Sequence, residues 1–293
     1  MNVLVCGASG FVGRAVCDAL RRRGHHAIAG VSSPRGADAV GVDFARDTDP
    51  ATWTPRLAGV DAVVNAVGVL RDSRQRPIAA VHQHVPTALF EACARAAVRR
   101  VVQVSALGIA GSGTAYARTK LAAEDALLAL VEAGRLDGVV VRPSVVFGRD
   151  GASSRLFLAL ARLPALLLPA AVRATRVQPV AVAELAEVLA GLVEAPAAAA
   201  RRLDAVGPEP VALGDFIASL RAQAGRGPAR VGTLPGALAR WSACAGDVVP
   251  VSPWCSETLA LLAADNTADP APFAQALGRR ATRFDALLAG ALA

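Results

Sequence analysis

Tyr116 and Lys120 stand four residues apart, and they are the only tyrosine and the only lysine in the chain. Residues at positions i and i+4 share one face of a helix, so the ammonium can lie beside the phenol or beside a ligand that both contact. A neighbouring positive charge favours the phenolate and brings a pKa of about 10 closer to neutral. The spacing therefore predicts a general acid/base. The alternative is a half-buried ring beside a lysine whose stem packs along the helix.

A glycine-rich turn near the start of the chain predicts a phosphate site. Gly7, Gly10 and Gly13 lie between an apolar run, Val3 to Cys6, and a helical pattern from Phe11 to Arg23. Glycines at a strand-to-helix turn let the backbone approach a pyrophosphate, and the helix N-terminus presents free N–H groups to it. At the first such turn of an alternating chain, this triplet is typical of dinucleotide binding.

The end of the second predicted strand, His26 to Val31, bears on which dinucleotide is bound. A carboxylate at this place would bind the adenosine ribose hydroxyls and select NAD, and none is present. Ser32 and Arg35 could instead receive a 2′-phosphate, which favours NADP(H), with NAD(H) as the alternative. Arg35 could equally be an ordinary loop arginine.

Predicted strands alternate with predicted helices through the first half of the chain. Further strands are expected at Val40–Val42, Asp61–Asn65, Arg100–Ser105 and Val139–Val141, and long helices at Ile78–Val98 and Ala115–Gly134. This alternation predicts an α/β fold with a doubly wound parallel sheet. Ligands of such sheets bind beyond the carboxyl ends of the strands. The polar or turn-forming residues expected at that edge are Gly7, Asp43, Asn65, Ser105 and Pro143.

The predicted domain organisation is a Rossmann domain with a smaller C-terminal substrate lobe. The first comprises residues 1–150, with residues 177–206 returning to it, and the lobe comprises residues 151–176 and 207–293. In the lobe, residues 154–168 are expected to form a helix and an apolar loop over the cleft. Trp241 and Trp254 are expected in the core, because large aromatic side chains are usually buried. A cleft lined by Ala, Leu and Val suits a hydrophobic substrate.

Composition argues against several classes of protein. The chain is 54% hydrophobic, but its longest apolar stretch is interrupted by Arg162, Pro164 and Pro169, so a membrane span is not expected. The arginines behind the net charge of +7 are scattered, which argues against nucleic-acid binding. His82 and His84 diverge on a helix, so no metal site is predicted. The N-terminus resembles no signal peptide, and a cytoplasmic location is expected.

Several motifs together resemble a known superfamily. Beside the glycine triplet and Tyr116-xxx-Lys120, the chain contains Asp43, Asn65-Ala-Val-Gly68 and Arg142-Pro-Ser-Val-Val-Phe-Gly148. These resemble the short-chain dehydrogenase/reductase superfamily in its extended or atypical, epimerase/dehydratase-like branch. Val104-Ser-Ala-Leu-Gly108 is most similar to the group that includes the NADPH-binding 39-kDa accessory subunit of respiratory complex I. The resemblance covers residues 1–210 best.

The resemblance implies roles for particular residues. Tyr116 would be the acid/base, and Lys120 would hold the nicotinamide ribose and lower the pKa of the phenol. The pyrophosphate would contact the glycine turn, and the adenine would contact Asp43. The riboses would lie along the segment after the fourth strand, and the nicotinamide would lie beside the segment after the sixth strand. The residues with these roles are Gly7, Gly10, Phe11, Val12, Gly13, Asn65, Ala66, Gly68, Pro143, Val145 and Val146.

One departure from the superfamily pattern leaves the function open. The usual Ser/Thr of the site falls at Ala106, so Ser105 would have to substitute, or Ser112 or Thr114 would approach from the following loop. The leading hypothesis is an NADP(H)-dependent oxidoreductase acting on a small-molecule carbonyl or hydroxyl. The alternatives are a non-catalytic dinucleotide-binding protein with a protein partner and, third, a nucleotide-sugar epimerase or dehydratase. The chain could be a monomer, or a homodimer formed through its two long helices.

Overall fold

The computed structural model describes residues 1–195, 201–228, 230–248, 254–262 and 264–292, and the chain divides into two units. Unit 1 comprises Met1–Arg142 and Ala183–Leu203. Unit 2 comprises Pro143–Val182 and Asp204–Ala293.

The strands and helices alternate along the chain, as the sequence predicts. The strands are β1 (Asn2–Cys6), β2 (His26–Val31), β3 (Ala39–Gly41), β4 (Ala62–Asn65), β5 (Arg100–Val104), β6 (Gly138–Pro143), β7 (Val146–Phe147), β8 (Ala165–Pro169), β9 (Arg176–Val177), β10 (Val180–Ala181), β11 (Arg202–Ala205), β12 (Val211–Ala212) and β13 (Arg230–Leu234). The helices are α1 (Phe11–Arg22), α2 (Pro50–Trp53), α3 (Val85–Arg95), α4 (Ala115–Glu132), α5 (Ala152–Arg162), α6 (Ala170–Ala174), α7 (Val182–Glu194), α8 (Leu213–Gln223), α9 (Gly236–Asp247), α10 (Ser256–Leu261), α11 (Ala271–Leu277) and α12 (Leu287–Leu292).

A seven-stranded sheet in the order β11-β6-β5-β4-β1-β2-β3 forms the centre of the fold. The pairings from β3 through β6 are all parallel. In this register Val5 lies between Ala29 on β2 and Val64 on β4. The strand order reverses between β1 and β4, which is the switch point where doubly wound sheets bind their ligands. The predicted α/β, Rossmann-type fold is confirmed.

Continuous apolar runs explain why the middle of the sheet is made of these segments. Val3 to Cys6 are completely buried, and every residue of β4 and β5 is buried. Strands covered on both faces lose the alternation of polar and apolar residues and become rich in valine. The core beside them includes Trp53, Phe90, Leu89, Leu127 and Val140.

The helix predicted at Ile78–Val98 is shorter and begins irregularly. Residues Ala80–His84 form a π-helical turn, and the regular helix α3 starts only at Val85. Hydrophobic spacing does not distinguish a π turn from an α turn over five residues, so this part of the prediction was wrong. π turns inside helices occur often at functional sites.

Unit 2 contains small sheets beside a second core. β8 pairs in parallel with β13, β7 with β10, and β9 runs antiparallel to β12. β8 corrects the prediction of an apolar loop, because Leu166 and Leu168 point into the core while Leu167 is exposed. The core is built from side chains of several elements: Phe147, Phe157, Leu166, Phe216, Leu220 and Leu287.

The two tryptophans of unit 2 differ in burial. Trp241 is 77% exposed, so its predicted core position was wrong. The reason is that α9 buries only a small-residue face, Ala239, Ala243 and Gly246, and Trp241 projects from the other side. Trp254 packs against the core of unit 2, and its indole N–H donates to Ser242 Oγ at 3.1 Å.

In the parts of the chain that the structure describes, no helix combines the length and the hydropathy needed to cross a membrane.

Candidate active site

The glycine turn between β1 and α1 is closed by backbone contacts that exclude side chains. Gly7 has φ +80°, a conformation that favours glycine. A Cβ at Gly13 would lie 2.1 Å from the carbonyl oxygen of Gly7, and one at Gly10 would lie 3.1 Å from it. The helix therefore packs directly against the turn, without an intervening side chain.

The first turn of α1 offers free backbone donors at this place. Gly10 is the N-cap residue and makes no side-chain cap hydrogen bond. Its own N–H donates to Gly7 O at 2.8 Å, which fixes the turn. Uncapped N–H groups at a helix N-terminus bind anions, and Phe11 and Val12 begin the helix here. The turn thus fits a pyrophosphate.

The loop after β2 and the loop after β3 carry the residues predicted to bind the adenosine half. Ser32 and Arg35 are both exposed. Asp43 is exposed as well, and its Oδ1 accepts a hydrogen bond from Ala45 N at 3.0 Å. Its N–H donates to Oδ2 of Asp47 at 2.7 Å, and Asp47 also pairs with Arg56. Asp43 is therefore held in a fixed loop.

Asn65 and Gln103 stabilise the carboxyl ends of neighbouring strands. Asn65 Nδ2 donates to Gln103 Oε1 at 2.8 Å, and Asn65 Oδ1 accepts from Val67 N at 3.3 Å. Gln103 Nε2 donates in turn to Val104 O at 3.1 Å. Sequence reasoning assigned Asn65 to ligand contact and did not single out Gln103. Buried amides in adjacent strands are the signal that could have found this pair, because buried polar groups need partners.

Lys120 is 4% exposed and joins two of these strand ends. Its Nζ donates to Val67 O at 3.2 Å and to Val104 O at 3.1 Å. Burial lowers the pKa of Lys120 from 10.5 to about 8, and the carboxylate of Glu124 partly offsets this lowering. A Cβ at the exposed Gly68 would lie 3.5 Å from Nζ, so the ammonium lies next to this glycine.

The phenol of Tyr116 does not behave as the Tyr/Lys spacing predicts. Burial raises the pKa of Tyr116 to about 12. The prediction that Lys120 lowers the pKa of the phenol was therefore wrong. In this structure the phenol is held in its neutral, protonated form. The physical reason is that desolvation of a phenolate opposes ionisation, while the ammonium of Lys120 is engaged by two backbone carbonyls.

Three hydroxyl groups were candidates to replace the one missing at Ala106. Thr114 caps α4, with its Oγ1 accepting from Ala117 N at 3.2 Å, and it is paired with Ser112 Oγ at 3.1 Å. Ser105 follows β5 directly, and its N–H donates to Val141 O at 2.7 Å. Ser105 Oγ is buried and has no hydrogen-bond partner among the described residues. A buried hydroxyl in this state is rare and suits a ligand contact.

His82 lies in the π-helical turn and contacts the same site, which sequence reasoning missed. Its ring meets that of Tyr116 edge-on, with a centroid distance of 5.2 Å and an interplanar angle of 87°. Nε2 accepts from Val69 N at 2.9 Å. Across the described parts of the chain, no group of three or more His, Cys, Asp or Glu side chains is arranged to hold a metal ion.

The predicted nicotinamide segment belongs to unit 2. Pro143 ends β6 and Val146 begins β7, which pairs with β10 through Val146 and Val180. Val145 packs against the core of unit 2, and its carbonyl accepts from Val180 N at 2.9 Å. Within unit 2 this segment has a defined backbone, and its role in binding stays a prediction.

Comparison with known proteins agrees with these features of unit 1. A sequence model described as the NAD dependent epimerase/dehydratase family matches residues 3–167, more than half of the chain. The chain belongs to this family. The predicted membership of the epimerase/dehydratase-like branch of the short-chain dehydrogenase/reductases is thereby confirmed, and the finer resemblance to the complex I accessory subunit stays a prediction.

A curated relative shares part of the family domain. It is the dTDP-6-deoxy-L-talose 4-dehydrogenase (NAD(P)(+)) of Kitasatospora kifunensis, 31% identical over 168 residues. The match covers 50% of this chain and 53% of that protein, so the two correspond over about half of their lengths.

Solved structures share the fold over almost the whole chain. The human epimerase family protein SDR39U1 with NADPH has a TM-score of 0.74 at 21% identity, covering 98% of both chains. The GalE-like L-threonine dehydrogenase from Cupriavidus necator, in its holo form, has a TM-score of 0.75 at 15% identity, covering 100% of this chain and 99% of that one. At these identities the likeness shows the fold of this family member.

Proposed function

We propose that the protein is an NAD(P)(H)-dependent oxidoreductase of the epimerase/dehydratase family that acts on a carbonyl or hydroxyl carbon of a small molecule. The observation that carries the proposal is the hydroxyl of Ser105, which is buried without a partner one residue after the carbonyl that Lys120 binds. A hydroxyl donor, a protonated phenol and a buried ammonium in one part of unit 1 suit proton transfer to an oxygen.

The residues of unit 1 fit a bound dinucleotide. The turn from Gly7 to Gly13 would hold the pyrophosphate against the start of α1, since Gly13 lets the helix pack directly on the turn: a Cβ there would lie 2.1 Å from the Gly7 carbonyl oxygen. Ser32 and Arg35 would receive a 2′-phosphate and favour NADP(H) over NAD(H). Asp43 would meet the adenine, and Asn65, Ala66 and Gly68 would lie along the riboses. When bound, the nicotinamide would supply hydride acceptance or donation.

The remaining chemistry would be done by side chains of the chain. Tyr116 carries its proton at neutral pH, because burial raises the pKa of its phenol to about 12, so it would act as the acid that protonates a substrate oxygen. Ser105 would donate a hydrogen bond from its hydroxyl to the same oxygen and hold it in place. Lys120 would bind a ribose hydroxyl on its Gly68 side while the carbonyls of Val67 and Val104 fix its ammonium.

A binding assay followed by a turnover assay tests the proposal. Native mass spectrometry of the purified protein would reveal a bound dinucleotide, and fluorescence would follow its redox state while carbonyl substrates are added. We expect NADP(H) binding and turnover that Tyr116→Phe and Ser105→Ala each reduce strongly. Ser112→Ala is the matched control, because Ser112 is paired with Thr114. Unchanged turnover in Tyr116→Phe would overturn the proposal.

The substrate class has two candidates that the same assay separates. An Ala-, Leu- and Val-rich lobe supports a hydrophobic carbonyl compound, and the part-length similarity to a deoxysugar dehydrogenase supports a nucleotide sugar. Turnover with a hydrophobic ketone panel and none with nucleotide sugars would favour the first. The reverse result would assign a nucleotide-sugar substrate, and conversion of that sugar without net oxidation or reduction of the dinucleotide would assign the third hypothesis, an epimerase or dehydratase.

A non-catalytic dinucleotide-binding protein is the second candidate function. The raised pKa of Tyr116 and the alanine at position 106 favour it, because both depart from a tuned acid/base site. It predicts a dinucleotide that co-purifies, stays bound and is never oxidised or reduced by any substrate class, together with a protein partner. Free exchange and turnover would contradict it. A cytoplasmic location and a monomer or homodimer stay predictions.

A further inference from the structure

His82 connects two parts of the proposed site through one ring. It is 1% exposed and lies in the π-helical turn that precedes α3. Its ring and that of Tyr116 are nearly perpendicular, with a centroid distance of 5.2 Å. Its Nε2 accepts a hydrogen bond from Val69 N at 2.9 Å. Val69 belongs to the segment after β4 that also supplies a carbonyl partner of Lys120.

The hydrogen bonds fix the tautomer of the ring. A backbone N–H can only donate, so Nε2 is the acceptor and Nδ1 carries the proton. Nδ1 then donates to Thr119 Oγ1 at 3.2 Å, and the hydroxyl of Thr119 donates to Ala115 O at 2.8 Å. The result is a directed chain of hydrogen bonds from the β4 segment into the first turn of α4, the turn that carries Tyr116.

Charge and space explain why a histidine is suited to this position. Burial and the neighbouring ammonium of Lys120 lower the pKa of His82 to about 2, so the ring stays neutral and adds no second positive charge to the site. A Cβ at Gly68 would lie 3.8 Å from Nε2 and 3.5 Å from the Nζ of Lys120. The imidazole and the ammonium therefore both lie next to the same glycine.

We propose that His82 is a positioning residue of this site: its Nε2 holds the Val67–Val69 segment in place for the dinucleotide, and its ring packs against the phenol ring of Tyr116 and fixes it. This role rests on the proposed function, because positioning matters only if the site binds a dinucleotide. The contacts with Val69 and Tyr116 are independent of that function. The hydrogen bond to Val69 depends on Nε2, and the contact with Tyr116 depends on the ring as a whole. Substitutions of His82 can therefore separate the two effects.

Two variants divide the ring from its hydrogen bonds. His82→Phe keeps an aromatic ring against Tyr116 but removes the acceptor for Val69 N and the donor to Thr119. His82→Gln places an amide oxygen near the position of Nε2 but removes the ring. His84→Gln is the matched control, because His84 ends the same π-helical turn.

Two readouts that need no turnover report the two effects. The affinity for NADP(H) is measured by fluorescence titration. The orientation of the phenol is followed by NMR of protein labelled with ¹³C at the tyrosine ring, in which Tyr116, the only tyrosine, gives one unambiguous set of signals. Titrating those signals with pH gives the pKa of Tyr116 directly.

The expected results are opposite for the two variants. His82→Phe should weaken dinucleotide binding about tenfold while the Tyr116 signals stay close to those of the wild type. His82→Gln should shift the Tyr116 signals and move its pKa down towards 10, with a change in affinity of about threefold or less. His84→Gln should change neither readout.

Two outcomes would overturn the inference. If both variants change both readouts together, His82 is only part of the packing of α3. If neither variant changes either readout, the contacts with Val69 and Tyr116 have no positioning effect. Failure of the proposed function looks different, because the wild-type protein would then bind no dinucleotide or bind it without turnover, while the Tyr116 signals still report on the ring contact.

Discussion

Both carboxylate oxygens of Glu124 accept a hydrogen bond from Nε of Arg142, each at 3.0 Å. Glu124 is fully buried and follows Lys120 by one turn of α4. Its negative charge raises the pKa of Lys120 against the larger lowering by burial. The Glu124–Arg142 pair therefore does two things: it satisfies a buried carboxylate, and it supports the ammonium of the proposed site.

Removing the charge of Glu124 should destabilise the protein. Glu124→Gln leaves the Arg142 guanidinium without its carboxylate, and breaking a buried ion pair costs about 3–5 kcal/mol. Urea denaturation measures the loss. Glu132→Gln is the control on the same helix, because Glu132 is 67% exposed and 3.2 Å from Arg201, and exposed pairs contribute about 0–1 kcal/mol. Equal losses of unfolding free energy in the two variants would show that the buried Glu124–Arg142 pair contributes no more than an exposed one.

Replacement of Lys120 should change how stability depends on pH. The folded pKa of about 8 lies below the ordinary 10.5, so between these values the unfolded chain binds a proton that the folded chain does not. The contribution of Lys120 to stability therefore rises with pH across this window. Each pKa unit corresponds to about 1.4 kcal/mol, so this contribution rises by roughly 3 kcal/mol. The thiols of Cys6, Cys17 and Cys93 contribute in the opposite direction above about pH 9, because burial raises their pKa in the folded chain.

The measurement compares unfolding free energies of the dinucleotide-free protein at the two ends of that window. Lys120→Met removes the titrating group, and Lys120→Arg keeps its charge throughout. On going from the lower to the upper end of the window, both variants should therefore gain roughly 3 kcal/mol less, or lose roughly 3 kcal/mol more, than the wild type. The same pH dependence in wild type and variants would show that Lys120 does not titrate there.

Ser105→Ala should separate stability from activity. Its Oγ is buried without a partner among the described residues, so removing it should leave the free energy of unfolding within about 0.5 kcal/mol or increase it. Turnover, in contrast, should fall. Ser154→Ala is the control: Ser154 is also buried, but its Oγ accepts from Gly148 N at 3.1 Å, so its loss should cost about 1–3 kcal/mol. A strongly destabilised Ser105→Ala would mean that the hydroxyl has a partner in the folded protein.

The sequence predicted the backbone of the site better than its electrostatics. β2 has the predicted bounds, His26–Val31, because a short apolar strand between polar turns leaves little choice. The helix that carries Tyr116 and Lys120 was also predicted, at Ala115–Gly134, and the structure has it at Ala115–Glu132. The pKa of Tyr116 was predicted in the wrong direction, because desolvation depends on what surrounds the ring and is not encoded in the spacing of two residues.

Contacts between distant segments were the other limit. The link from Val69 through His82 to Thr119 joins residues up to 50 positions apart. Its middle residue, His82, lies in a π-helical turn, which hydrophobic spacing predicts as an ordinary helix. The exposure of Trp241 was missed for a related reason. Whether a tryptophan is buried depends on which face of α9 packs, and the buried face turned out to consist of alanines and glycine.

Gly13→Ala should disrupt the turn that the dinucleotide needs. The new Cβ would lie 2.1 Å from the carbonyl oxygen of Gly7 and 2.7 Å from its carbonyl carbon, and both are backbone atoms that cannot rotate away. Relief requires α1 to move from the turn, which we expect to cost about 3 kcal/mol or more and to weaken dinucleotide binding at least about tenfold. Gly236→Ala is the control, because no atom lies within 4 Å of its Cβ position and it begins α9. Thermal unfolding and dinucleotide titration measure the two effects; unchanged affinity in Gly13→Ala would show that the phosphates do not bind at this turn.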